Sequence, residues 1–225
     1  MVKWFLLFVP VALVLGGWWL YTALAEPTPA PTNVVSVASS TAPTTGQVAA
    51  TPLPTNAPGP AGQPTRTMQA ILHTNQGDIT LEFLPDAAPN AVANFTKLAQ
   101  SGFYSGTKFH RVIKGFMDQG GDPLTKDDSK AAAWGTGGPG YKFADEVSAE
   151  APNNTGFVAM ANSGPNTNGS QFFINVADNT FLNGKYTVFA KVVAGMDVAL
   201  AINNTPTNSA DRPLTPVVLV SVEIK

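Results

Sequence analysis

Two segments concentrate the residue types that could do chemistry. The first is Phe109-His110-Arg111-Val112-Ile113-Lys114-Gly115-Phe116-Met117-Asp118-Gln119-Gly120-Gly121-Asp122. Arg111 stands there in a strongly apolar run, where a guanidinium is costly unless it is paired. Composition alone favours a modest role for it, with the stem covering the core and the head reaching water. The second segment is Met160-Ala161-Asn162-Ser163-Gly164-Pro165-Asn166-Thr167-Asn168-Gly169-Ser170-Gln171-Phe172-Phe173-Ile174. It is a loop crowded with Asn, Ser and Gly between two apolar runs, without a carboxylate or a nucleophile–base pair. It reads either as a tight polar turn or as a surface that grips an extended peptide backbone.

Several chemistries lack their residues. The chain has no cysteine, so it has no disulfide, no thiolate nucleophile and no cysteine-ligated zinc. Two histidines, His73 and His110, leave little material for a metal site, and sequence alone offers Ser163 and Ser170 no plausible histidine partner for a hydrolase, a pairing that distance in the fold decides. The glycines from Gly135 to Gly140 are not followed by the lysine and serine or threonine of a phosphate-binding loop. A net charge of -2 gives no electrostatic case for nucleic acid.

The elements that must position these segments fall between Thr67 and Lys225, long enough for one well-buried domain. Ile79, Leu81 and Phe83 alternate with Thr80 and Glu82, the period of a half-buried strand. Gln69 to Thr74 pairs with it through the turn signal Asn75-Gln76-Gly77-Asp78. Pro89 suits the first turn of a helix whose apolar face is Val92, Phe95, Leu98 and Ala99, and Gly102 suits its stop. A second short helix fits Met196 to Ile202. Further strands are expected at Phe109 to Ile113, Phe157 to Ala161, Gln171 to Val176, Thr187 to Val193 and Pro216 to Ile224. Alternation that buries Phe109 points His110 and Val112 the other way, and Gly115 with Gly120-Gly121 breaks the regularity beyond. Many short strands, two helices and glycine-rich turns argue for a mainly β domain, either closed or sandwiched.

The two chemical segments resemble the signature of the cyclophilin family nearly residue for residue. The similarity covers about Gln69 to Lys225 and includes Gly77-Asp78-Ile79, Asn94-Phe95 and Gly102-Phe103-Tyr104. What the resemblance implies is a closed eight-stranded antiparallel β-barrel capped by two α-helices, with a groove on its outer face. It implies cis–trans isomerisation of the bond preceding proline, without cofactor or metal. Carried over by position, the catalytic residue is Arg111. The proline pocket is Phe116, Met117, Phe173 and Leu182, the backbone-holding groups are Gln119, Asn162 and Gln171, and Ala161 and Ser163 line the neighbouring groove. Phe181 stands where many members have tryptophan and Tyr186 where many have histidine. Both keep an aromatic ring for substrate contact, but the lost indole donor puts tight binding of cyclosporin-type inhibitors in doubt. Leu124 to Trp134 is longer and more charged than the shortest family loops and reads as a surface insertion.

The remaining chain concerns location. Residues 4–25 carry no charge and Lys3 precedes them. At about 1.5 Å rise per residue such a helix spans a hydrocarbon core of roughly 30 Å, with Trp18, Trp19 and Tyr21 at the outer interface. The alternative is a cleaved signal ending at Ala23-Leu24-Ala25. Residues 26–66, with Pro27, Pro29, Pro31, Pro52, Pro54, Pro58 and Pro60, form a disordered linker that favours extended polyproline conformation. The expected organisation is therefore a helix over 1–25, a linker over 26–66 and an isomerase domain over 67–225. The expectation is a bacterial, extracytoplasmic monomer that acts on proline-containing, newly exported polypeptides. It is either anchored in the membrane or cleaved and then secreted or periplasmic.

Overall fold

The computed structural model describes residues 67–225; the expected N-terminal helix and linker lie outside them. Among the described residues no helix is long and apolar enough to cross a membrane. The chain runs β1 (Gln69–Thr74), β2 (Gly77–Phe83), α1 (Pro89–Gln100), β3 (Thr107–Lys108), β4 (Arg111–Ile113) and β5 (Met117–Gly120). It continues through β6 (Phe157–Met160), β7 (Phe172–Asn175), β8 (Val188–Ala194), α2 (Met196–Asn203) and β9 (Val218–Ile224). The strands make one antiparallel sheet in the order β3-β9-β1-β2-β8-β6-β7-β5-β4.

The first hairpin follows from its residues. Ala70 and Leu72 of β1 and Ile79, Leu81 and Phe83 of β2 are buried on one face, at the spacing of two that a pleated strand requires. Helix α1 starts on Pro89, whose missing N–H is no loss in the first turn. Its flanking Ala88 offers no side-chain cap. Glu146 replaces it from a distant loop, its carboxylate accepting the N–H groups of Asn90 and Ala91 at 3.0 and 2.9 Å. The helix ends as expected at Gly102, whose φ of +72° lets Gly102 N–H reach Ala99 O and Phe103 N–H reach Leu98 O.

Helix α1 inserts Phe95 into the concave face of the sheet, where it meets Phe83, Tyr104, Phe172 and Phe189 at centroid distances of 4.8–5.8 Å. This aromatic cluster is the centre of the main core. A second, smaller cluster of Met117, Ala151, Ala159, Phe173, Leu182 and Val188 lies apart from it. Strands β6 and β7 supply both: Val158, Met160, Phe172 and Ile174 to the first, Ala159 and Phe173 to the second.

Two expectations need correction. The sheet is a curled one of nine strands, and its edge strands β3 and β4 do not pair with each other to close an eight-stranded barrel. They are two ends of one segment, interrupted at Phe109 and His110. There Phe109 N–H donates to Val217 O and His110 N–H to Gln119 O, so the chain passes from one end of the sheet to the other. The same interruption resets the alternation: Phe109 and Val112 both enter the main core while Arg111 faces outward. The second correction is β5, which sequence reading took as a break. Its Gly120 sits where a Cβ would come within 3.3 Å of the Phe109 ring, so glycine here serves close packing within a strand.

Because Phe95 touches four other rings, Phe95→Ala should destabilise the fold by about 3–5 kcal/mol. Urea unfolding measures this directly, and a loss below about 1 kcal/mol would show that α1 is not the lid of the core.

Candidate active site

The outer face of β4, β5, β6 and β7 carries a groove, and the order of these strands decides which side chains meet there. Arg111 pairs across the sheet with Gln119, and Gln119 with Phe173. Alternation therefore brings an arginine, an amide and a ring onto one face from three strands. Met117 and Phe173 form the apolar floor with Leu182, which arrives on a short 3₁₀ turn, Thr180–Leu182. Phe116, from the tight turn between β4 and β5, and Tyr186 make the walls. Tyr186 stands edge-on to Phe173 at 5.5 Å and 87°.

A polar relay crosses this floor. Arg111 Nη1 donates to Gln119 Oε1 at 3.3 Å, and Gln119 Nε2 donates to Gln171 Oε1 at 2.9 Å. Gln171 Nε2 then donates to the carbonyls of Gly135 and Gly137 at 3.0 and 2.8 Å. Each amide accepts through oxygen and donates through nitrogen, so the relay has one sense and holds the guanidinium at the rim of the apolar floor. Asp211 Oδ2 lies 3.9 Å from Arg111 Nε, a second, looser restraint. The glycine loop that ends the relay is itself tied down by Asp122. Its fully buried carboxylate accepts the N–H groups of Leu124, Gly135 and Gly137.

The structure brings together Arg111, Phe116, Met117, Gln119, Ala161, Asn162, Phe173, Leu182 and Tyr186 around one cavity. Ser163 and Gln171 lie in the adjoining one, which shares Gln119, Ala161 and Asn162 with the first. Phe181 lines neither; it stacks on Phe116 at 5.8 Å and is 62% exposed at the rim. Asn162 is held by its side chain, which donates to Lys185 O and accepts from Gly164 N–H. Its backbone N–H and C=O are taken up by no other group among the described residues and face no competitor for an extended peptide. Ser170 does not act as a nucleophile: it is buried and donates to Gly121 O at 2.8 Å.

Sequence reasoning missed three parts of this wall: Trp134, Ala210 and Arg212. Trp134 ends the segment read as a surface insertion, which folds into two 3₁₀ turns, Pro123–Lys126 and Asp128–Ala133, and delivers its indole to the groove. The only signal was a lone tryptophan in an otherwise charged run. Arg212 had none, being brought there by the turn Asn208–Arg212. His110 also lines the cavity, and burial, the largest influence on it, lowers its pKa. It therefore adds no full charge beside Arg111 at neutral pH.

Behind the floor sits an unusual pair. Asn203 of α2 accepts Gly115 N–H at 2.8 Å and donates to Ile113 O at 2.9 Å and to Asp118 Oδ1 at 2.8 Å. One side chain thus clamps the β4–β5 turn that carries Phe116 and Met117. Burial pushes the Asp118 carboxyl up to about 7, the Asn203 hydrogen bond opposing it in part, and its Oδ2 has no partner.

Two kinds of comparison place the chain. Residues 69–224 match the family described as cyclophilin type peptidyl-prolyl cis-trans isomerase/CLD. Peptidyl-prolyl cis-trans isomerase CYP18-1 of Arabidopsis thaliana is 48% identical over 158 residues, covering 70% of this chain and 96% of that protein. Peptidyl-prolyl cis-trans isomerase B of Streptomyces anulatus is 48% identical over 177 residues, covering 70% and 97%. In peptidyl-prolyl cis-trans isomerase 9 of Schizosaccharomyces pombe the match, also 48% identical, spans only 25% of that longer protein. A crystal structure of a Cryptosporidium parvum cyclophilin type isomerase superposes with a TM-score of 0.65 at 35% identity, covering 71% of this chain and 98% of that one.

The Asp118 environment sets a pH dependence of stability. Asp118 holds its proton to about 7 when folded but ordinarily releases it near 3.8. Its contribution to stability is therefore fully present below about 3.8 and is lost as pH rises through about 7. Asp118→Asn removes this dependence and keeps an acceptor for Asn203. The variant should gain stability relative to the parent between pH 5 and pH 8 by on the order of 2 kcal/mol. Parallel unfolding curves for the two proteins over that range would refute the assignment.

Proposed function

The chain belongs to the cyclophilin-type peptidyl-prolyl cis-trans isomerases, a cofactor-independent enzyme family, and we propose that it turns X-Pro bonds with Arg111 as the donor and an apolar clamp as the proline site. The observation that carries this reading is a relay-held guanidinium, half exposed, at the rim of a floor made by Met117, Phe173 and Leu182.

The reaction asks for nothing that breaks a bond in the substrate. Rotation about X-Pro faces about 18–20 kcal/mol because amide resonance stiffens the C–N bond. In the twisted transition state the proline nitrogen regains its lone pair and becomes a hydrogen-bond acceptor, which it is not when planar. A donor aimed at that nitrogen binds the transition state more strongly than the ground state, and only such differences accelerate. An acceleration of about 10⁶-fold needs around 8 kcal/mol. Gln119 occupies Nη1 of Arg111, which leaves other N–H groups of the fork for the substrate. Phe116, Met117, Phe173 and Leu182 hold the ring while the preceding carbonyl swings. Gln119, Gln171 and the backbone of Asn162 hold the flanking chain, with Ala161 and Ser163 beside it, Tyr186 on the outer wall and Phe181 at the rim behind Phe116.

The substrate class is proline-containing polypeptide. A related structure is that of the Cryptosporidium parvum isomerase in the presence of the dipeptide Ala-Pro. The hydrophobic residues 4–25 and the proline-rich residues 26–66 support a location outside the cytoplasmic membrane, as an anchored monomer or one released by cleavage after Ala25. The clients would then be newly exported chains waiting on slow isomerisation, which takes tens to hundreds of seconds uncatalysed.

Arg111→Ala should lower kcat/KM on a short X-Pro peptide by at least about 100-fold, the loss that follows removal of one preorganised donor. Arg111→Lys should not rescue it, because an ammonium lacks the planar fork; near-native turnover in either variant removes Arg111 from the mechanism. For location, the domain should be open to protease added to spheroplasts if anchored, or be recovered in the periplasmic or culture fraction if cleaved. A chain that stays protected and fractionates with cytoplasmic proteins would end the export reading.

A further inference from the structure

The wall of the groove beside Arg111 carries a second cation that the isomerisation itself does not use. The Trp134 ring is covered by Arg212, whose Cζ lies 4.3 Å from the ring centroid, and by Lys108, whose Nζ lies 4.9 Å from it. Arg212 Nη2 donates to Ala131 O at 2.7 Å, so the insertion holds the guanidinium both by its indole and by a backbone carbonyl. Arg212 Nε is buried and makes no hydrogen bond.

The charges around it are divided unequally between groove surface and interior. Lys108 is committed to Asp128, and Asp211 to Arg111. Asp122 is spent on three backbone N–H groups. Arg212 makes no ion pair among the described residues. At the groove surface the wall therefore presents two guanidinium groups and one half-exposed carboxylate, while the Asp122 charge lies fully buried behind the glycine loop. Arg212 lines the cavity, and of its terminal nitrogens Nη2 is held by Ala131 O while Nη1 makes no hydrogen bond among the described residues, so the planar fork keeps a donor suited to a carboxylate. A role confined to anchoring the insertion would need only the indole stacking and the Ala131 bond, and would leave substrate choice unaffected.

We infer that Arg212, held over the Trp134 ring of the 124–134 insertion, forms a subsite that favours X-Pro substrates with an acidic residue next to the proline. This rests on the isomerase reading of the same groove and adds a substrate class to it. The insertion then acts as a specificity element, and Trp134 is a positioning residue that works through Arg212.

The experiment compares, on the full chain, peptides that carry Glu, Gln or Lys immediately before or immediately after the proline. At about 0.01 M ionic strength, where charges act over about 30 Å, kcat/KM for the Glu peptide should exceed that for the Gln peptide at one of these positions. The expected excess is about two- to fivefold, the reach of a partly exposed ion pair, with the Lys peptide below both. At about 1 M salt, where the range falls to about 3 Å, the ratio should approach one. Arg212→Gln should bring the low-salt ratio to one whatever happens to the absolute rates, and Trp134→Leu should lower it. A Glu-to-Gln ratio of one in the parent protein at both positions overturns the subsite without any variant. So does an Arg212→Gln protein that keeps the parent ratio. Absence of catalysis on the Gln peptide itself would instead remove the isomerase reading on which the subsite depends.

Discussion

Strands β6 and β7 are apolar on both faces, and the site exists because only one of those faces is filled by the main core. Inward, Val158, Met160, Phe172 and Ile174 pack under α1 around Phe95. Outward, Ala159 and Phe173 join Met117, Leu182 and Val188 in a cluster too small to cover itself. A sheet face of this kind must be buried against something. Here Phe116, Tyr186 and the 3₁₀ turn at Leu182 border the cluster without closing it. The opening that remains has the size and apolarity to accept a ring, and the polar apparatus is arranged around its edge.

That apparatus is kept in place by a few buried polar side chains. Asp122 gathers three N–H groups and so shapes the loop whose carbonyls receive Gln171. Gly121 lies beside it with a φ of +83° and a virtual Cβ 2.5 Å from Ser170 O, so no larger residue fits where β5 and β7 part. On the other side Asn203 ties the β4–β5 turn to α2. The relay from Arg111 to the glycine loop runs between these two anchors. A guanidinium restrained from both sides has little freedom left to lose when a ligand binds.

The insertion at 124–134 shows how a common frame acquires a particular surface. Its two 3₁₀ turns are capped by Asp122 and Asp127, and its last residue is turned inward to the groove. The cation stacking on Trp134 joins this insertion to the turn before β9, two segments about eighty residues apart in sequence. This wall of the groove is thus built from loop segments, while the floor is built mostly from paired strands.

The sequence by itself determined the elements with local causes. Alternation in β1 and β2, Pro89 and Gly102 at the ends of α1, and the apolar face around Phe95 are all local signals, and they fell where expected. The two signature segments and their order, Arg111 to Gln119 and Asn162 to Phe173, also marked in advance the residues that gather at the groove. The tertiary structure alone decided what depends on pairing between distant strands. It showed Met117–Gly120 to be a strand, because partners on both sides outweigh the low strand preference of its glycine and aspartate. It reset the alternation at Phe109 and His110, because that segment must pass from one end of the sheet to the other. It also placed Trp134 and Arg212 on the wall, since no periodicity links an insertion to a turn near the C-terminus. Local patterns are written in neighbouring residues, whereas register, edge geometry and loop meeting points are set by contacts between residues far apart in the chain.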